Sequence, residues 1–447
     1  MMRTIALICC GTLLALSSSL SVTRPAYSVA PARSNGVSTI TPQPHPILSD
    51  VNVRRAIAYC TDKGALLESV HSPLTPQERQ ALIAETFIIS SSWAFTTPAV
   101  IYNYNPAQGM SVLEAAGWTL QPGATYRTRN GRMLTFGITS SNAPYRQTYL
   151  SVWSNQMRAC GIQVLPNYVP GSVFFGRATG LRVRDFESAA FAWVSEEDPG
   201  GRSLFSCDQI PSPDNGWAGQ NYMGWCNPIA SAAIQLAADT SRPQAERKVH
   251  YATVINEFAN DVPSLPLFYR PNSPTWEHID FNLQHYTQEA SLLVNAPTSA
   301  DFEDYFGNSV TINVPLGAVS QTTELRFEPM VSPTTSLPNN QQSVVSFRLT
   351  ALIANVPAPG FAFGAPITLT VSYSPTLVRG LNEQSLALHY HDVAGNEWRD
   401  IYESCPVSLR YRNLDVVAHR YVVTVCHLSE LALLGRRFGA YLPAVVR

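Results

Sequence analysis

Two groups of residues have types and spacings that could do chemistry. His389 and His391 alternate on a β-rich run and so face one side, with Asp392 adjacent. Such a set could touch a metal ion, but two histidines are too few without a third ligand in view, and a surface strand explains the pattern equally. The cysteines are the second group. Cys9 and Cys10 lie in an apolar N-terminal run, which leaves Cys60, Cys160, Cys207, Cys226, Cys405 and Cys426. An even set in an exported chain points to disulfides, with fifteen pairings open. Nearest-in-domain pairing predicts 60–160, 207–226 and 405–426; six buried thiols are the other reading. C-x-x-C and C-x-x-H spacings are missing, which argues against zinc.

Hydrolase motifs fail. Pro170-Gly171-Ser172 lacks the second glycine of a nucleophile elbow, and neither H-E-x-x-H nor a P-loop occurs. The expectation is a protein that is not an enzyme, with no catalytic residue, no metal and no cofactor.

The chain has 447 residues, room for two or three domains, and only 14% of them are charged, against about 25% in ordinary soluble domains. The N-terminus has an export reading. Arg3 precedes the apolar and small-residue run Ile5–Leu20, and Ala26-Tyr27-Ser28 offers the small-x-small pattern of a cleavage site, so residues 1–28 are expected to be a signal peptide. A membrane anchor is the competing reading. Ile8 and Cys9, standing before the two cysteines, do not fit a lipoprotein signal. Cleavage would remove Arg3 and Arg24 from the 30 basic residues, leaving 28 against 32 acidic ones and a net charge of −4. With no basic run, no nucleic-acid partner is expected.

The elements that must position any site come next. Residues 29–47 are rich in Pro, Ser, Thr and Ala and read as a linker. Val53, Ile57 and Cys60 recur at helical spacing after Ser49 or Asp50 as cap. Thr75-Pro76-Gln77-Glu78 is a capping box, and Asn105-Pro106 opens a helix that Gly117 closes. Asn130-Gly131 between strand-like runs signals a hairpin. Helical and strand runs then alternate to Tyr269, an α/β pattern. After about residue 300, β-rich runs at 309–314, 324–329, 344–351, 367–373, 386–391 and 420–426 argue for an antiparallel sandwich.

The α/β landmarks have the order and spacing of a known family. Val53-Arg54-Arg55-Ala56-Ile57-Ala58-Tyr59 with Asp62-Lys63, Asn105-Pro106 with Leu113-Glu114-Ala115-Ala116-Gly117-Trp118, and Gly131-Arg132-Met133-Leu134 come first. Gly161-Ile162, Trp193 with Asp198-Pro199, Asn221-Tyr222, Asn227-Pro228 and Asp261-Val262-Pro263-Ser264-Leu265-Pro266-Leu267 follow. Together they resemble the C-terminal lobe of family-5, peptide/nickel-type solute-binding proteins of ATP-binding-cassette importers. The resemblance covers about half of the chain. It departs at Ser231, where the family often has an acidic residue, and in the lack of an N-terminal lobe ahead of residue 48. It implies an α/β lobe of a type II periplasmic-binding-protein-like fold over 48–297, followed by an all-β antiparallel sandwich over 298–440 and a tail at 441–447. Val310–Val319 and Val425–Ala432 resemble the sandwich modules of ankyrin-like and autoproteolytic surface proteins, with Leu in place of both aromatics of their terminal motif. His427-Leu428-Ser429 is read there as an ordinary strand end.

The family resemblance also implies a site. The loop after the tryptophan strand supplies ligand contacts in that family, and here it reads Trp193-Val194-Ser195-Glu196-Glu197-Asp198-Pro199. A carboxylate of Glu196 or Glu197 could hold a peptide amino terminus by a charge-assisted bond, with Trp193 as an apolar wall and Tyr222 and Trp225 lining the same pocket. The alternative is a solvated acidic loop over core aromatics. The implied function is capture of peptides or similar small polar solutes for an importer, in a periplasm, on a cell surface or in the medium. The partners would be the importer permease or a separate N-terminal lobe. An extracellular adhesion or scaffold protein is the alternative.

Overall fold

The computed structural model describes residues 39–438 apart from 178–179, 305, 331–332, 336 and 339. The expected signal peptide, the first part of the linker and the tail lie outside the described residues. The chain enters by a strand, β1 (Thr39–Pro44), and continues into helices α1 (Val51–Cys60), α2 (Lys63–Val70), α3 (Pro76–Leu82) and α4 (Pro106–Ala115). A two-residue hairpin, β2 (Thr128–Arg129) and β3 (Arg132–Met133), leads to β4 (Thr135–Ser141), α5 (Pro144–Ala159), β5 (Gln163–Val169) and the single turn α6 (Gly171–Phe174). Then come β6 (Ser188–Val194), α7 (Arg202–Phe205), α8 (Pro228–Ala237), α9 (Gln244–Asp261), β7 (Ser264–Tyr269) and β8 (Thr275–Phe281).

Local chemistry explains these boundaries. Asp50 caps α1 by accepting from the Asn52 N–H at 3.0 Å, and Asn105 caps α4 by accepting from the Gln108 N–H at 3.1 Å. At the hairpin turn Asn130 and Gly131 take φ of 52° and 77°, the left-handed values this turn type requires. Helices α1 and α4 cross closely at Gly109, where a Cβ would stand 2.6 Å from Cys60 Sγ and 2.9 Å from the Ala56 carbonyl oxygen.

The sheet of this lobe runs β5-β4-β6-β8-β7, with β4 parallel to β5 and β6, and β8 antiparallel to both of its neighbours. One core, including Ile57, Trp153, Phe136 and Ile279, lies between it and α1, α2, α4 and α5; another gathers around α8 and α9. Cys60–Cys160 joins the ends of α1 and α5, and Cys207–Cys226 joins two loops ahead of α8. These are two of the nearest-in-domain pairs, and Cys405–Cys426 is the third.

The rest of the chain is antiparallel: β9 (Gln284–Leu292), β10 (Thr298–Glu303), β11 (Ser309–Val314), β12 (Thr323–Met330), β13 (Gln341–Ile353), β14 (Val356–Pro357), β15 (Ala362–Ser372), β16 (Leu381–Asp392), β17 (Glu397–Asp400), β18 (Arg412–Asp415), β19 (Arg420–His427) and β20 (Glu430–Arg437). They form an eight-stranded sheet, β1-β9-β12-β13-β20-β16-β17 with β14 beside β13, and a five-stranded sheet, β10-β11-β15-β19-β18. The inner faces of both contribute to one apolar cluster.

Two boundaries differ from the sequence reading. Residues 39–47, expected as the end of a linker, contain β1, which pairs with β9 from Thr39↔Glu289 to Pro44↔Gln284. The prolines that suggested a linker are compatible with an edge strand. His45 donates its N–H to the Leu283 carbonyl at 3.0 Å, and the alternation of an antiparallel ladder turns Pro42 and Pro44 to the outer side, where the ladder needs no N–H. The second change is at 297/298: β9 already belongs to the eight-stranded sheet, so the lobe ends at Asn282–Leu283. Among the described residues no helix is long and apolar enough to cross a membrane.

Candidate functional site

Strands β4, β5, β6 and β7 all point the same way, so their carboxyl ends share one edge of the sheet. In open α/β sheets ligands collect outside such an edge. The ends gathered there include Ser141, Val169, Trp193 with Val194, and Tyr269 with Arg270. The antiparallel β8 pairs Thr275 with Val194 and Phe281 with Ser188, then passes into β9. The second domain is therefore attached at the opposite edge.

Trp193 stands at this carboxyl edge, half-buried. Its ring is nearly parallel to Tyr222 (centroids 6.2 Å apart, 14° between planes) and to His278 (6.4 Å, 9°). The structure thus brings Trp193 and Tyr222 together. Burial holds the Tyr222 phenol above its usual pKa. Beyond them Val194 is 65% exposed, and the Ser195 N–H donates to the Pro274 carbonyl at 2.8 Å, which ties the loop to the β7–β8 turn.

Glu196 and Glu197 are exposed, while the next carboxylate is the anchored one. Asp198 accepts from Arg247 Nη1 at 2.7 Å and Nη2 at 2.5 Å, and these bonds hold its pKa below the ordinary carboxylate value. The loop is therefore fastened at Asp198 and leaves the two glutamates to solvent. Trp225, expected in the same pocket, is placed otherwise. It is 2% exposed, packs against Phe205 and Phe258, and spends its Nε1–H on Asp261 Oδ2 at 2.8 Å. Cys207–Cys226 fixes the neighbouring backbone, with Asn221 Nδ2 bridging the Ser206 and Trp225 carbonyls at 3.1 and 2.7 Å.

Sequence reasoning passed over a charged cluster at the same edge. Glu277 on β8 is wholly buried. Arg146 Nε lies 3.4 Å from its Oε2, Arg270 Nε lies 2.9 Å from its Oε1, and the Tyr149 and Tyr145 hydroxyls donate to it at 3.1 and 3.2 Å. On the other face of β8, His278 is enclosed by Phe191, Trp193 and Trp276. Burial pushes its pKa down to about 3, so it stays neutral, and pushes the neighbouring Asp280 up to about 7. A buried charge inside a strand-length run is the signal that could have marked this site.

Two concavities lie elsewhere. One of about 720 Å³ opens beside Pro42, Pro44 and Trp225, and one of about 790 Å³ lies between the Asn130–Gly131 turn and the second domain. In the second domain His391 Nε2 lies 3.3 Å from Asn396 Oδ1, Asp392 pairs with Arg399, and His389 Nδ1 faces the Ala387 carbonyl. Ser429 Oγ donates to the His391 carbonyl at 3.1 Å.

Comparison with known proteins gives these residues a family context. Residues 15–209 match the model described as bacterial extracellular solute-binding proteins, family 5 Middle. The match begins ahead of the expected residue 48. The peptide transport periplasmic protein SapA of Salmonella typhimurium is 26% identical over 229 residues, which span 50% of this chain and 37% of that protein. Among solved structures, NikZ of Campylobacter jejuni in complex with Ni(L-His) is 20% identical with a TM-score of 0.43, covering 56% of this chain and 47% of that one. AppA of Bacillus subtilis, in complex with a nonapeptide, is 18% identical with a TM-score of 0.43, covering 54% and 48%. The chain is thus similar over residues 15–209 to family 5 solute-binding proteins, and it spans little more than a third of the curated relative it matches.

Proposed function

We propose, from the similarity to family 5 solute-binding proteins, that this chain is an exported binding protein whose lobe presents one wall of a solute cleft. It captures a peptide or similar small polar solute for an ATP-binding-cassette importer. The observation that carries this reading is the meeting of Trp193 and Tyr222 beside the exposed Glu196 and Glu197, at the carboxyl edge away from the second domain. Trp193 and Tyr222 supply apolar contact and the glutamates a site for an ammonium group. A wall open to water gives weak polar contacts, because water competes for them. The facing wall would come from a separate N-terminal lobe or from the importer permease. The lobe is read as a type II periplasmic-binding-protein-like fold. The two antiparallel sheets are read as a β-sandwich that spaces or docks the lobe. The place of action is the periplasm, the cell surface or the medium, and no catalytic step is assigned. The comparisons do not favour the adhesion reading.

The test is thermal melting of the mature protein against a library of short peptides and metal ions. A ligand that binds only the folded state raises Tm. At least one peptide should do so, and Trp193→Ala should abolish that rise while leaving the circular dichroism spectrum intact. No shift from any member, with a protein shown to be folded, counts against autonomous binding.

A further inference from the structure

Arg132 stands where the lobe's hairpin meets the second domain. The Met133 N–H donates to the Thr334 carbonyl at 3.2 Å, so β3 and the 333–335 stretch lie side by side across the domain joint. Arg132, one residue before that bond, has a side chain 27% exposed, and its ion-pair partner Glu328 is 3.9 Å away, beyond hydrogen-bond reach. Among the described residues its guanidinium has no hydrogen-bond acceptor. Thr335, one residue after the bond, carries a buried hydroxyl oxygen that is likewise without a partner. The neighbouring groups are already engaged. Arg348 donates to Glu328 at 2.9 Å and to Glu430 at 3.1 Å, and Glu430 also accepts from the Thr334 N–H and hydroxyl at 2.7 and 2.6 Å. Two guanidiniums thus face two carboxylates and the charge balances. What the joint lacks is acceptor atoms, and donors held away from water without acceptors cost free energy that a ligand can recover.

Both groups line the concavity of about 790 Å³ between the hairpin turn and the second domain. That size falls within the roughly 300–1,000 Å³ of small-molecule pockets, which favour domain interfaces. The second domain supplies an apolar side. Leu349 on β13 is buried, Phe361 and Leu428 are partly buried against that domain's apolar cluster, and Pro357 and Pro359 lie at the β14–β15 turn. The concavity therefore combines free donors from the joint with an apolar wall. Arg132 precedes β4, so this site lies at the amino ends of the lobe's parallel strands, away from Trp193. A carboxylate offers two acceptor oxygens at the spacing of a guanidinium fork.

We infer that this interdomain concavity binds a small organic acid, with its carboxylate on Arg132 and the Thr335 hydroxyl and its apolar body against Phe361 and Leu428. Calorimetry on the mature protein with 1-naphthaleneacetate, 1-naphthaleneacetamide and acetate tests it. The naphthalene acid should bind. Its amide and acetate should each bind at least about tenfold more weakly, the first for want of a charged hydrogen-bonded contact and the second for want of apolar burial. Arg132→Gln should make acid and amide equal. Thr335→Val, which keeps the shape and removes the hydroxyl, should weaken the acid by about tenfold. If Arg132→Gln does not fold, hydrogen exchange on the wild type decides: the acid should slow exchange at residues 130–135 and 428–430 and leave 193–197 unchanged. Equal binding of the acid and its amide, slowing at 193–197 instead, or no binding of the acid by folded protein overturns the inference. Each of these results leaves the reading of the Trp193 edge to its own peptide test.

Discussion

Strand β8 of the lobe and the middle strands of the five-stranded sheet bury different chemistry. In the lobe, β8 puts Glu277, His278 and Asp280 out of water alongside Trp276, Ile279 and Phe281. In the antiparallel domain the buried side chains of β11, β15 and β19 are all apolar or aromatic, Val310, Ile367, Leu369, Tyr421 and Val423 among them. Some of its ion pairs sit nearer the surface, as Arg326–Glu289 does at 2.6 Å with side chains 30% and 13% exposed, although Glu430 on β20 is buried beside Arg348. Burying a charge costs several kcal/mol unless partners compensate, so a core made only for stability avoids it. Local rules tend to be broken where function needs it. The difference sets the Glu277 cluster, joined by Arg270 from the end of β7, apart from the apolar middle of the five-stranded sheet.

Breaking the charge cluster is the largest test of that contrast. Glu277→Ala leaves Arg146 buried without its carboxylate and should cost about 3–5 kcal/mol of lobe stability. Arg326→Ala, at a part-buried pair nearer the surface of the other domain, should cost less, about 1 kcal/mol. Urea titration of both variants measures this. A loss below about 1 kcal/mol for Glu277→Ala would place the two regions on the same footing.

A smaller effect lies in the pH dependence. In an unfolded chain Asp titrates near 3.9 and His near 6.5. Folding raises Asp280 to about 7, so its contribution is present below about 4 and is lost as pH rises through about 7. Folding lowers His278 to about 3, so its contribution is present above about 6.5 and is lost as pH falls through about 3. Between about 4 and 6.5 the two slopes oppose each other. Asp280→Asn removes the falling one, so its Tm should climb more steeply with pH over that window than the wild type does. An unchanged slope would mean that the pair is not buried as the fold has it.

What could be read along the chain divides in the same way. The caps of α1 and α4, the Asn130–Gly131 turn and most strands of the second domain were legible because each rests on neighbours within a few residues. β8 was not, because Glu277, His278 and Asp280 interrupt its apolar run, and the partners of Glu277, Arg146 and Tyr149, lie more than a hundred positions away. β1 was hidden by Pro42 and Pro44, which make sense only once β9 is known to lie on the other side. Of the candidate site, Trp193 and Tyr222 were legible as a pair through the family pattern. The burial of Trp225 and the charge on Arg270 depend on tertiary contacts that no spacing encodes.

The smallest prediction tests how legibility relates to energy. Asn105 was read as a helix cap from two residues, and in the fold it does accept from the Gln108 N–H. Asn105→Ala should cost only about 1 kcal/mol, because water can replace part of that bond at an exposed helix end. Thermal or urea melting compared with Glu277→Ala would then show a three- to fivefold difference in favour of the contact that could not be read. The reason is geometric. A cap exchanges one bond for another with solvent beside it, whereas the Glu277 cluster exists only after three segments have met and water has left. A cap as costly as the cluster would mean that α4, packed on α1 through Gly109, depends on its first turn more than on its buried face.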